Sequence, residues 1–89
     1  MALSALGLVE TRGLTAAIEA ANIILKKGGI AVIGKNIYGN GFITVFAEGE
    51  FEAVKSAIEA GADSAGKLGK LVSYLIIPKP HPELKSLFF

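Results

Sequence analysis

The chain has 89 residues, the size of one small domain, and residues 1–89 are expected to fold as a single unit. Nine lysines and arginines against eight aspartates and glutamates give a net charge of +1, too balanced for a protein that binds nucleic acid by neutralising phosphates. The absence of cysteine excludes disulfides and thiolate metal sites, and the single histidine, His81, leaves little for zinc.

The composition is also more apolar than a small monomer needs. Hydrophobic residues make up 52% of the chain and charged residues 19%, and the mean hydropathy is +0.54. We therefore expect part of the surface to face a partner. The longest uncharged stretch, residues 36–47, is interrupted by glycine and is shorter than the roughly 18 apolar residues of a membrane span. Residues 1–4 do not resemble the start of a secretory leader, which favours a cytosolic protein.

The first third of the chain predicts a strand and then a helix. Residues 3–11 form short apolar runs with few helix-favouring features, and Arg12-Gly13 indicates a turn. A helix is predicted next, with cations at its end and the pair Gly28-Gly29 to terminate it. Its apolar stripe is predicted to consist of Leu14, Ile18, Ala21 and Leu25.

Two β-rich runs, residues 30–37 (IAVIGKNI) and 42–49 (FITVFAEG), flank the sequence Gly39-Asn40-Gly41. This loop is either a tight reversal between strands or a backbone-rich site for something small and polar. Because Asn-Gly favours a type I′ turn, the residues alone favour a β-hairpin. A phosphate-binding loop is a poor match because a strand, and not a helix, follows the glycines.

A second helix is predicted from Phe51, with an apolar stripe on one side and the pair Lys55 and Glu59 on the solvated side. The stripe consists of Phe51, Val54, Ile58 and Ala65. Small residues along residues 57–66 would let either a sheet or a neighbouring subunit approach closely. Residues 70–77 predict a fourth strand, which the following prolines end, and residues 83–89 form a short helix or a tail.

The predicted order is βαββαβ, and its two halves are similar at an offset of 40 positions. Residues 17–20 and 57–60 share the sequence AIEA. Two similar βαβ halves predict a ferredoxin-like α/β (α+β) sandwich, with a four-stranded antiparallel sheet covered by two helices on one face. We expect the other face to be partly covered or to carry mixed polar residues.

The sequence offers little chemistry for catalysis. It has no cysteine nucleophile, no G-x-S-x-G motif and no second histidine, and its carboxylates fall mostly on predicted helix surfaces and strand ends. An enzyme is therefore not expected. By composition alone, Lys26 is a favourable cation in the last turn of a helix, and Lys79 and His81 are solvated residues between prolines.

Four blocks of the sequence resemble the single-domain, hexamer-forming shell proteins of bacterial microcompartments. The blocks are ALGLVETRGLTAAIEAANIILKK (5–27), GNGFITV (39–45), EAVKSAIEAGADSA (52–65) and IPKPHPEL (77–84). The resemblance implies a non-enzymatic cyclic homohexamer without a cofactor, packed edge to edge with neighbouring hexamers and other shell proteins around enclosed enzymes in the bacterial cytoplasm.

The resemblance also implies roles for individual residues. Gly39, Asn40 and Gly41 would line a central pore for small polar metabolites. Lys26, Lys79 and His81 would lie at the hexamer edge.

Three positions differ from the usual family pattern. Lys79 stands where the family usually has arginine, and Asn40 replaces a frequent serine. Ile37 and Tyr38 stand where many relatives have a lysine and an apolar residue, which implies a less positive pore.

The same fold is compatible with other functions. A ferredoxin-like regulatory module that binds a small ligand is the alternative function, because a compact βαββαβ order and a glycine turn fit it too. An RNA-binding variant is disfavoured, since residues 30–37 and 42–49 lack stacked aromatics with basic neighbours.

Overall fold

The computed structural model describes residues 5–37 and 39–88. In chain order the elements are β1 (Ala5–Arg12), α1 (Leu14–Lys26), β2 (Ile30–Ile37), β3 (Phe42–Gly49), α2 (Phe51–Lys67), β4 (Leu71–Ile77) and α3 (Leu84–Phe88). The predicted βαββαβ order is confirmed, and the last described residues form a short helix. The predicted elements and loop also include residues 3 and 4, Tyr38 and Phe89, which lie outside the described residues.

The four strands form one antiparallel sheet in the order β2-β3-β1-β4. Its hairpin end, as we call it, is where Ile37, Phe42, Arg12 and Leu71 lie. Its far end is where Ile30, Gly49, Ala5 and Ile77 lie. The β2-β3 connection lies at the hairpin end, and β4 and β2 are the two edge strands.

Both long helices pack on one face of the sheet, α1 mainly over β1, β3 and β2 and α2 mainly over β1 and β4. Alternate residues of β1 and β3 point into this layer because side chains alternate across a strand. The fully buried core includes Val9, Ile24, Val54 and Ile58. The molecule is a thin slab with principal extents of 37 × 26 × 15 Å.

Glycines allow α2 to approach both its neighbours. A Cβ on Gly7 would collide with Ile58 Cγ1 and would lie 2.9 Å from Val54 Cγ1. A Cβ on Gly61 would lie 3.1 Å from Ile24 Cγ1 of α1. Of the small residues predicted to admit a close neighbour, Gly61 therefore accommodates the other helix of the same chain.

The predicted apolar stripe of α1 is wrong about which side packs inward. Leu14, Ile18 and Leu25 are 55%, 59% and 53% exposed. The buried side consists of Ala16, Ala17, Ala20 and Ile24. Small alanines bring this side close to the sheet and to α2, and the larger residues of the stripe point outward. On α2, by contrast, the predicted stripe is confirmed, with Val54, Ile58 and Ala65 buried and Phe51 partly buried.

The open face of the sheet, opposite the helices, is mixed as expected. The register places Leu6, Leu8, Glu10 and Arg12 of β1 on this face, since the alternate residue Val9 belongs to the helix-covered core. Glu10 Oε1 accepts a hydrogen bond of 3.1 Å from Ser73 Oγ of the neighbouring strand. On β1 this face is thus apolar at Leu6 and Leu8 and charged at Glu10 and Arg12. Part of it is covered, since Leu6 and Phe46 are buried.

Candidate functional site

The loop between β2 and β3 is an exposed, glycine-flanked hairpin. Gly39, Asn40 and Gly41 are all exposed, and a Cβ on either glycine would meet no atom within 4 Å. The backbone N–H of Phe42 donates a 3.1 Å hydrogen bond to Asn40 Oδ1. This contact uses the amide oxygen of Asn40 and leaves its NH₂ group to donate elsewhere.

The hairpin is confirmed, but its turn is not type I′. A type I′ turn needs a positive φ at both central residues. Here Gly41 has a φ of 87°, and Asn40 is not among the residues with positive φ. The Asn40 side chain replaces part of the backbone turn by bonding two residues ahead, as Asn commonly does.

Backbone contacts attach this loop to the junction between β1 and α1. The N–H of Gly13 donates to the carbonyl oxygen of Gly41 at 2.8 Å. The buried Oγ1 of Thr11 lies 3.2 Å from the carbonyl oxygen of Ile43 and 3.3 Å from that of Gly13. The loop is therefore held by β1 as well as by its own two strands.

The candidate edge residues lie away from this loop. Lys26 ends α1, which starts next to the hairpin end at Leu14 and returns the chain to β2 at the far end. Lys79 and His81 follow Ile77, the last residue of β4 at the far end. All three side chains are exposed. The structure thus separates the predicted pore residues from the predicted edge residues along the strand direction.

His81 has a local structural contact that the sequence did not indicate. Its Nδ1 accepts a 3.1 Å hydrogen bond from the N–H of Glu83, and its carbonyl oxygen accepts one of 2.9 Å from the N–H of Leu84. With Nδ1 as acceptor, the neutral ring carries its proton on Nε2, which is the nitrogen available to a partner. His81 therefore organises the start of α3.

The contact of Arg12 with Phe42 is not evident from the sequence. The guanidinium carbon of Arg12 lies 5.6 Å from the centre of the Phe42 ring, immediately after the glycine loop. Arg12 was interpreted only as part of a turn, since the sequence gives no information on which residue faces it across the sheet. The register of β1 against β3 creates the contact.

The carboxylates form no arrangement suited to catalysis within residues 5–37 and 39–88. Glu59 pairs with Lys55 at 3.7 Å and Asp63 with Lys67 at 3.3 Å, both on the exposed surface of α2. Glu50 accepts from the N–H of Ala53 and so caps the start of α2. Among the described residues, no three metal-binding side chains cluster, and none of the described helices combines the length and the apolar character of a membrane span.

Comparison with known proteins places these features in a family. The fold is that of a small α/β shell-forming domain, and the BMC domain family model matches residues 5–80. A crystal structure of a microcompartments protein from Desulfitobacterium hafniense DCB superposes with a TM-score of 0.88 at 32% identity, over 97% of this chain and 49% of that chain. This chain thus spans about half the length of that protein. It belongs to the BMC domain family.

Three relatives have similar lengths to this chain. The bacterial microcompartment shell protein PduA of Citrobacter freundii is 42% identical over 83 residues, covering 93% of this chain and 89% of the relative. The shell protein EutM of Escherichia coli K12 is 41% identical over 86 residues, covering 97% and 89%. The carboxysome shell protein CsoS1 of Prochlorococcus marinus is 45% identical over 82 residues, covering 91% and 80%. These matches confirm the resemblance inferred from the four sequence blocks and the expectation of a structural protein.

Proposed function

We propose that this chain is a structural, non-enzymatic shell protein of a bacterial microcompartment, and that six copies close into a ring with Gly39, Asn40 and Gly41 lining its central pore. The observation that carries the proposal is the separation of the hairpin loop from Lys26, Lys79 and His81 at opposite ends of the sheet. In a flat cyclic tile, every chain must reach from the axis to the rim. A thin slab with its loop at one end and exposed cations at the other meets that requirement.

Exposed apolar side chains support self-association. Leu14, Ile18 and Leu25 form one continuous side of α1, and Tyr74 and Leu75 on the edge strand β4 are also about half exposed. Ring closure brings two different surfaces of neighbouring copies together, and burying apolar area is the main favourable contribution to such contacts. Contacts between copies would therefore explain why the composition is more apolar than a small monomer needs.

The proposed pore works through backbone and amide groups. Because Gly39 and Gly41 have no side chains, six loops can approach an axis closely. The Asn40 NH₂ group, directed by the bond from Phe42 N–H to its oxygen, offers a donor to small polar metabolites. Weak, exchangeable hydrogen bonds suit passage, since a tightly held solute would not leave.

The proposed rim joins tiles to each other. Lys26 would donate hydrogen bonds to backbone carbonyls of a neighbouring hexamer, and Lys79 and His81 would complete the same edge. Neighbouring hexamers and other shell proteins are the proposed partners, and a set of enzymes is the proposed content of the shell. No cofactor, nucleic acid or membrane enters this proposal.

Native mass spectrometry combined with electron microscopy tests the proposal. A ring of six 9.2 kDa chains has a mass of about 55 kDa, and tiles should appear as flat hexagonal sheets or tubes at high concentration. Protomers or dimers only, under native conditions, would contradict the ring. Saturable binding of one metabolite by such a small species would instead favour a ligand-binding regulatory module.

A further inference from the structure

Arg12 is an exposed cation beside the hairpin loop without a neutralising partner among the described residues. It ends β1 opposite Phe42, and its guanidinium carbon is 5.6 Å from the ring centre. The ion pairs on α2, Lys55 with Glu59 and Lys67 with Asp63, do not involve Arg12. The nearest acid on the same strand face, Glu10, is bonded to Ser73. Within residues 5–37 and 39–88, no described side chain therefore neutralises Arg12.

The backbone fixes Arg12 relative to the loop. Its own N–H donates to the carbonyl oxygen of Lys70 at 2.8 Å, and the N–H of Gly13 donates to that of Gly41 at the same distance. Arg12 and Lys70 also line the same two surface depressions next to the start of α1. A second cation thus lies close to the first at the hairpin end.

The distance from Arg12 to the loop tip follows from strand geometry. Phe42 is two residue steps from Asn40, at about 3.3 Å each, and Arg12 is one strand across, at about 4.8 Å. The Arg12 backbone is therefore about 8 Å from the tip of the loop. The tip itself is uncharged, because residues 36–47 include no ionisable acid or base other than Tyr38.

We propose that Arg12 gives the mouth of the pore a positive potential and makes it select small anionic solutes over neutral solutes of the same size. This inference rests on the proposed hexamer, in which six Arg12 side chains would surround the axis. A ring of like charge around a narrow, low-dielectric opening concentrates the field there. The Debye length of about 8 Å at physiological salt weakens but does not abolish the effect at this range. We expect about a threefold preference for the anion.

Acetate and acetamide are a matched pair of probes, since they have nearly the same shape and differ in charge. Their exit rates would be measured together from one preparation of loaded, sealed shells containing this protein, so that the number of shells cancels in the ratio. Arg12→Gln should lower the acetate-to-acetamide ratio about threefold, whereas Arg12→Lys should keep it. Lys55→Gln, which removes an exposed cation on α2, is the control for net charge and should leave the ratio unchanged.

Crystal structures of the wild type and of Arg12→Gln separate the two ways in which the inference can fail. Loops found away from a six-fold axis would overturn both the pore and the selectivity. Loops at the axis, together with equal ratios in the wild type, Arg12→Gln and Lys55→Gln, would overturn the role of Arg12 alone. A ratio that falls in Arg12→Gln and in Lys55→Gln alike would assign the preference to net charge and also overturn it.

Discussion

Ile18 and Ile58 are equivalent residues of the internal repeat, 40 positions apart, but Ile58 is fully buried while Ile18 is 59% exposed. The two helices present different sides to the sheet. Helix α2 buries the side that contains Ile58, whereas α1 buries the side that contains Ala20 and Ile24. The repeat thus places the same residue type in the core of the protomer in one half and on its outer surface in the other.

This difference predicts that replacing isoleucine by alanine has different effects at the two sites. Ile58→Ala should lower the free energy of unfolding by about 2–5 kcal/mol, because it removes buried methylene groups and leaves a cavity. Ile18→Ala should change protomer stability by less than about 0.5 kcal/mol, as surface substitutions usually do, but should weaken the ring. Chemical denaturation and native mass spectrometry of both variants measure these quantities.

Comparable losses of protomer stability at the two positions would contradict the exposure of Ile18. Glu19→Ala, next to Ile18 on the exposed surface of α1, is the control for a change in helix content. It should leave both the fold and the mass of the assembly unchanged.

Alanine substitutions at Gly7 and Gly66 form a matched pair that tests how closely α2 packs against β1. Gly7→Ala should destabilise the protein by about 1–3 kcal/mol, because the new methyl group would overlap Ile58 and Val54 of α2. Gly66→Ala adds the same group where no atom lies within 4 Å, inside a helix, and should stabilise by about 0.5–1 kcal/mol. Denaturation midpoints of the two variants test the close approach of α2 to β1. An unaffected midpoint for Gly7→Ala would mean that this approach is looser than described.

If Lys26 lies at the proposed rim, Lys26→Ala should leave the proposed hexamer intact and weaken the contacts between hexamers. Lys26 is exposed and its side chain contributes to the protomer only through the helix C-terminus, about 0.3–1 kcal/mol. Sheet formation would be followed by electron microscopy and sedimentation. Lys27→Ala removes the adjacent exposed cation and is the matched control. Dissociation of the hexamer itself in Lys26→Ala would argue against a place at the rim.

Asn40→Trp should block the proposed pore while the shell still assembles. The side chain is exposed at the tip of the loop, so six indoles can occupy the axis without disturbing the core. Asn40→Ser keeps a short polar side chain that can still accept from Phe42 N–H, and it is the control for loss of the amide. Solute efflux from sealed shells is the measurement, and flux through Asn40→Trp shells equal to wild type would rule out a path along these loops.

Local patterns were sufficient to predict the elements and their order. Glycine pairs and prolines end helices and strands because of their own backbone conformations. Apolar residues also recur at different spacings in helices and in strands. The bounds of β2 and β3 were predicted to the residue for this reason. The four sequence blocks identified the family, and Gly39, Asn40 and Gly41 lie together in any fold because they are adjacent in the chain.

Only the tertiary structure decided which side of α1 is covered. Leu14, Ile18 and Leu25 have the larger apolar side chains and therefore suggest the buried side of α1. The alanines at positions 16, 17 and 20 instead permit a close approach to the sheet and α2. Helix rotation depends on the shape of both neighbours, which the helix's own sequence does not include. The contact between Arg12 and Phe42 likewise depends on strand register, because 30 positions separate these residues in the chain and pairing across the sheet brings them together.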